Sequence, residues 1–117
     1  MKITLCGSTR YMGVFHKANL LLTLAGHAVY SVATSVHGES VKITDEQKIV
    51  LDKVHKLKID HSDAVVILDM DNYVGVSTRS ELQHAIDKGK EIFRLSSYGW
   101  ELERLVDHIN KLEEYGS

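Results

Sequence analysis

Ala64-Val65-Val66-Ile67-Leu68 is an unbroken apolar, largely β-branched run, followed by Asp69-Met70-Asp71-Asn72-Tyr73-Val74-Gly75. A strand with one wet face alternates apolar and polar residues, whereas one with no polar position is covered on both faces, as in a parallel sheet flanked by helices. Short apolar runs alternate with amphipathic segments on either side of it, along the whole chain. Before it, the run from Lys2 to Cys6 stops abruptly at Gly7-Ser8-Thr9-Arg10 and predicts a strand leading into a loop. Val14, Ala18, Leu21, Leu22 and Ala25, with Gly26 placed as a left-handed cap, predict a helix over 11–25. Residues 27–32 read as a second strand and 33–41, rich in Ser, Gly and Thr, as a long loop.

Thr44 and Gln47 form a capping box behind Ile43, and Val50, Val54 and Leu57 mark one apolar face of the helix that follows. Beyond the central run, Thr78 opens a helix that ends near Gly89, and residues 91–95 read as a fourth strand. A last amphipathic helix turns Leu102, Leu105, Val106, Ile109 and Leu112 inward. Strand and helix repeated four times predict one α/β domain over 1–117. It is a three-layer sandwich around a parallel, flavodoxin-like sheet of four strands in the order 2-1-3-4. In such a sheet the ligand crevice lies beyond the carboxyl ends of the strands at the switch point, here between the first and third. The loops at Gly7 and Asp69 are therefore expected to face each other.

Composition narrows the function. A chain of 117 residues has room for one core, and 44% hydrophobic with 26% charged residues excludes disordered and collagen-like classes. Fourteen basic against sixteen acidic residues leave a net charge of −2, so no global positive field gathers polymeric nucleic acid or a membrane surface. The charge-free stretch 18–36 changes period midway and reads as a helix end and a strand, not a membrane span. One cysteine, Cys6, cannot form an intramolecular disulfide, which fits a reducing compartment. Seven scattered histidines show no zinc-type spacing, so neither a metal nor a cofactor is expected. The apolar segment before Arg10 is too short for a signal peptide, and cytoplasmic residence is the expectation.

The turn Gly7-Ser8-Thr9-Arg10 stands between a strand and a helix N-terminus, where free N–H groups, two hydroxyls and a guanidinium suit a phosphate. An ordinary tight turn with a solvated arginine fits the same four residues. Asp69 and Asp71 leave the third strand at its carboxyl end, and Glu81 follows in the expected first turn of the next helix. There the helix dipole would hold Glu81 anionic, as a nucleophile needs, but Thr78-x-x-Glu81 is equally a capping box. His55, near Asp52, and His84, one turn after Glu81, are candidate proton carriers. Cys6 reads as a buried structural thiol, and Tyr98 and Trp100 as rings that pack rather than stack on a base.

The order of these motifs resembles the nucleoside 2-deoxyribosyltransferase-like family, including its 2′-deoxynucleoside 5′-monophosphate N-glycosidase branch. The resemblance rests on Ile3-Thr4-Leu5-Cys6-Gly7-Ser8-Thr9-Arg10, Gly26-His27, residues 55–63, and Tyr73-Val74-Gly75-Val76-Ser77-Thr78-Arg79-Ser80-Glu81-Leu82 followed by Ala85 and Gly89-Lys90. It implies that Glu81 attacks the anomeric carbon of deoxyribose. It also implies that Gly7, Ser8 and Arg10 surround the nucleotide and its phosphate, and that Gly75, Ser77 and Thr78 receive the 5′ group; Asp69, at the carboxyl end of the third strand, is a further expected substrate contact. The family's assisting acid, on the helix before the third strand, falls at His55; Asp52 and Asp60 stand nearby as substitutes.

The expected function is therefore cleavage or transfer of the N-glycosidic bond of a 2′-deoxynucleoside or its 5′-monophosphate, with Glu81 as nucleophile and Asp71 or His55 handling the proton of the leaving base. The competing class is a non-catalytic nucleotide-binding or sensing module with the same fold, in which Glu81 is a cap. The resemblance further implies a homodimer or higher homo-oligomer. Ser97 or Tyr98, beside Ser96 just after the fourth strand, would then reach the partner's nucleotide.

Overall fold

A computed structural model describes residues 1–33 and 42–116; most of the loop expected over 33–41 lies outside the described residues. Four strands, β1 (Lys2–Gly7), β2 (Ala28–Tyr30), β3 (Ala64–Leu68) and β4 (Glu91–Arg94), alternate with four helices. These are α1 (Met12–Leu24), α2 (Asp45–Asp60), α3 (Val76–Asp87) and α4 (Leu102–Gly116). The strands pair in parallel in the order β2-β1-β3-β4, the flavodoxin-like arrangement expected from the sequence. Every residue of β3 is buried, as its lack of polar positions requires. None of the helices over the described residues is long and apolar enough to cross a membrane.

Side-chain alternation along the strands divides the core in two. Ile3, Leu5, Ala64, Val66, Leu68 and Phe93 point to one face, where Phe15, Ala18 and Leu22 of α1 and Leu102, Leu105 and Ile109 of α4 cover them. Cys6, Val65 and Ile67 point to the other, against Ile59 of α2 and Ala85 of α3. The first cluster is the larger by far.

Element boundaries hold to within a few residues, but two helices that matter for the site depart from the expected reading. Thr44 and Gln47 do form the capping box of α2. The face marked by Val50, Val54 and Leu57, however, stays exposed, and the helix buries His55 and Ile59 instead. The stripe that meets the sheet runs through Asp52, His55 and Ile59, at i, i+3 and i+7, so apolar content misidentifies the inward face. The second departure is at α3, which starts at Val76 behind an N-cap at Gly75, two residues before Thr78. Thr78 is therefore not a cap; it lies buried with Glu81 and Ala85 on the inward stripe, and Glu81 falls in the second turn.

Candidate active site

Thr4 and Cys6 of β1, His55 of α2 and Glu81 of α3 place polar groups where the helices meet the sheet. Thr4 Oγ1 is satisfied by Ser62 Oγ at 2.5 Å, and Ser62 in turn donates to the Lys58 carbonyl. The other three converge near the carboxyl end of β1. Cys6 Sγ lies 3.5 Å from His55 Nε2, and His55 Nε2 lies 3.4 Å from Glu81 Oε2. Glu81 is only 8% exposed and His55 6%. Glu81 Oε2 is out of hydrogen-bond alignment with the imidazole and is a buried oxygen without a hydrogen-bond partner.

Burial, more than any neighbouring charge, sets the electrostatics of this cluster. It raises the Glu81 carboxyl to about 7; the Cys6 thiol opposes that shift, Asp52 adds to it and Lys56 subtracts. The expectation of a firmly anionic Glu81 held by the helix dipole is thus corrected: in the second turn the dipole is spent, and desolvation favours the protonated form. His55 is lowered to about 4, first by burial and then by Lys58, against a hydrogen bond to the Leu5 backbone and the charge of Asp52. It is neutral near pH 7, with the Nε2 side turned to Cys6 and Glu81. In that neutral form it takes up a proton before it can pass one on. Burial, and then Glu81, push the Cys6 thiol well above its ordinary range. Cys6 is buried as the sequence suggests, yet it is part of the polar cluster.

The two loops expected to face each other do so. The Arg10 guanidinium stacks on the Tyr73 ring, 4.6 Å from its centre, joining the turn after β1 to the loop after β3. Ser8 Oγ accepts from Arg10 N and caps a short 3-10 turn over Thr9–Tyr11. Gly7 has a packing reason of its own: a Cβ there would lie 3.1 Å from the Leu68 carbonyl oxygen and 3.2 Å from the Phe15 ring. Tyr73 also leans over Gly75, whose added Cβ would stand 3.4 Å from the phenol oxygen. Ser77 is half-buried beside Thr78 at the start of α3.

The acidic candidates separate. Asp71 is exposed on the turn Met70–Asn72 with a φ of 54°, a left-handed conformation that Asp tolerates better than most residues. The charges felt by Glu81 come from Asp52 and Lys56 of α2, not from Asp71. Asp69 is fully buried and turned inward, accepting from Arg94 Nε at 3.2 Å, from Ser96 N at 2.8 Å and from Ser96 Oγ at 2.5 Å. Its carbonyl accepts from Trp100 Nε1. Asp69 thus ties the end of β3 to the segment after β4, an internal duty in place of the substrate contact expected from the sequence, because both carboxylate oxygens already hold donors. Asp60 pairs with His84 at 2.7 Å on the surface, away from the cluster. Ser97 is exposed on the turn Leu95–Tyr98, while the Tyr98 hydroxyl is bonded to His108.

The fold has a solved counterpart. The chain is similar to the 2-deoxyribosyltransferase of the psychrotolerant bacterium Bacillus psychrosaccharolyticus, with a TM-score of 0.63, 24% identity, and coverage of 80% of this chain and 71% of that one. At that identity the likeness establishes shared architecture. No family model matches the chain, nor does any curated protein. Sequence reasoning missed Cys6 as a site residue and the burial of His55. The available signal was a cysteine one residue before the strand-end glycine, on the strand face opposite to Leu5.

Proposed function

We propose that the protein cleaves or transfers the N-glycosidic bond of a 2′-deoxynucleoside or its 5′-monophosphate, with Glu81 as the nucleophile. The observation that carries this reading is a carboxylate 8% exposed, at the carboxyl edge of the sheet, with one oxygen lacking a hydrogen-bond partner. A group in that state costs stability and serves no packing purpose, which is the mark of a residue kept for chemistry. The fold shared with a 2-deoxyribosyltransferase agrees with it.

In the proposed reaction the ionised Glu81 attacks C1′ of the sugar, the C1′–N bond breaks, and the base leaves with a proton assigned to Asp71 on the facing loop. Water, or a second base, then displaces the ester oxygen from C1′, and the attacking group returns its proton to Asp71. Gly7, Ser8 and Arg10 surround the nucleotide and its phosphate, and Gly75, Ser77 and Thr78 receive the 5′ group. Chromatographic separation of free base from sugar, over a panel of deoxynucleosides and 5′-monophosphates, tests the reaction. Release of a base that depends on Glu81 supports it, while nucleotide binding without any base release assigns the fold to a binding module.

The proposal extends to assembly. Val50 at 57% and Leu57 at 54% exposure, with Ile49 and Val54 beside them, leave an apolar strip on α2 that a second copy would cover. In a homodimer Ser97 is the exposed hydroxyl available to a neighbouring site. Tyr98 is less available, since its hydroxyl is held by His108.

A further inference from the structure

We propose that Cys6, His55 and Glu81 form a binding site for a zinc-class divalent cation. Sequence spacing shows no such centre, because the three ligands come from β1, α2 and α3 and meet only in the fold. Their donor atoms all lie within 4.8 Å of one another. A tetrahedral zinc with bonds of about 2.3 Å to sulfur and about 2.0–2.2 Å to nitrogen and oxygen holds sulfur and nitrogen about 3.5 Å apart, and nitrogen and oxygen about 3.3 Å apart. The corresponding separations here are 3.5 Å and 3.4 Å. The third edge, from the Cys6 sulfur to the Glu81 carboxylate, lies within 4.8 Å.

A second observation points the same way: Glu81 Oε2 is buried among these groups without a hydrogen-bond partner, and a cation supplies what it lacks. The imidazole is oriented as a ligand should be. Nε2 faces the cluster, 3.5 Å from Cys6 Sγ and 3.4 Å from Glu81 Oε2. One thiolate, one imidazole and one carboxylate suit zinc, and three protein ligands leave a fourth position for water. On binding, the Cys6 thiol, and Glu81 where it is protonated, give their protons to the buffer as the sulfur–metal and oxygen–metal bonds form.

The functional consequence rests on the proposed role of Glu81. A cation held by that carboxylate blocks its attack on C1′, so zinc acts as a reversible inhibitor and a chelator restores turnover. The binding itself does not depend on that role, and two measurements keep the ideas apart. Metal-free full-length protein is titrated with Zn2+ by calorimetry and with Co2+ by absorption, reading the thiolate-to-cobalt charge-transfer band and the tetrahedral ligand-field bands. One equivalent with both signatures is expected. Cys6→Ala should abolish the charge-transfer band, and Cys6→Ala and His55→Ala should each weaken Zn2+ binding more than about 100-fold, beyond what loss of an outer-shell partner costs. Glu81→Gln, which keeps the side-chain volume, serves as the third variant should either alanine variant fail to fold. Absence of the cobalt–thiolate band, or Zn2+ affinity unchanged by these variants, overturns the site. Stoichiometric zinc that leaves base release untouched instead preserves the site and removes Glu81 from the nucleophile's role.

Discussion

The face of the sheet under α1 and α4 and the face under α2 and α3 share the same four strands and differ in what they bury. The first is closed by Phe15, Leu22, Leu105 and Ile109, all fully buried and apolar. The second has a thinner apolar cluster and devotes inward positions of its helices to His55, Thr78 and Glu81. Polar groups at sheet-facing positions weaken a core, so their concentration on one side, at the carboxyl edge of β1, sets an apolar face against the face that carries the candidate site.

The sharpest way to break that contrast is Glu81→Gln. The amide keeps the shape and cannot form a glycosyl ester, so base release should fall by about 10³-fold or more, a loss typical of removing a nucleophile. Stability should move the other way above neutrality. A carboxyl at about 7 in the folded chain and near 4.5 unfolded contributes stability that is complete below 4.5 and lost as pH rises through 7, up to about 3 kcal/mol. With chelator present, unfolding free energies of wild type and variant at pH 5 and pH 8 check this. A Gln variant no more stable than wild type at pH 8 would refute the buried-carboxylate account.

On the opposite face, Ile109→Ala should destabilise by about 2–5 kcal/mol, because it empties a fully buried aliphatic site in the larger core cluster. Its kcat, measured well below the unfolding midpoint, should stay near wild type. A large drop in kcat with little change in stability would erase the proposed division of labour. Smaller again is Arg10→Ala, which should reduce the preference for a 5′-monophosphate over its nucleoside by about 10–100-fold, the equivalent of one charge-assisted contact of about 1.5–3 kcal/mol. Calorimetry on the matched pair of ligands reads it, and an unchanged ratio moves the phosphate elsewhere.

The division between faces also explains what could be read in the sequence. Strands and the α1/α4 core follow from apolar periodicity, the strand order from the repeated alternation of strand and helix, and the unbroken apolar run Ala64 to Leu68 from its cover on both faces. The other face was legible only in part. Val50, Val54 and Leu57 satisfy the helical period and yet stay outside, since the inward stripe of α2 is marked by a histidine. Thr78-x-x-Glu81 matches a capping box and is instead an inward stripe, because Gly75 already caps α3. Asp69 looks free and is held by Arg94 and Ser96, partners 25 and 27 residues away that no local pattern reveals. Periodicity reports burial of apolar groups, so it fails where a protein buries polar ones.

The smallest expected effect lies on the exposed strip of α2, and it separates two reasons for apolar residues to be outside. Val54 and Leu57 are 43% and 54% exposed in a single chain, so truncating them removes little buried area there. Val54→Ser with Leu57→Ser should change the unfolding free energy of the isolated chain by only about 0.5 kcal/mol, as surface substitutions do. If a second copy covers the strip, the same variant loses that apolar contact at every interface, and the chain should dissociate at concentrations where wild type is dimeric. Light scattering coupled to size exclusion, run beside urea unfolding at low micromolar protein, reads both quantities at once. A wild type that is monomeric at high concentration, with a variant indistinguishable from it in both measurements, would show that α2 carries its apolar strip without a second copy to cover it.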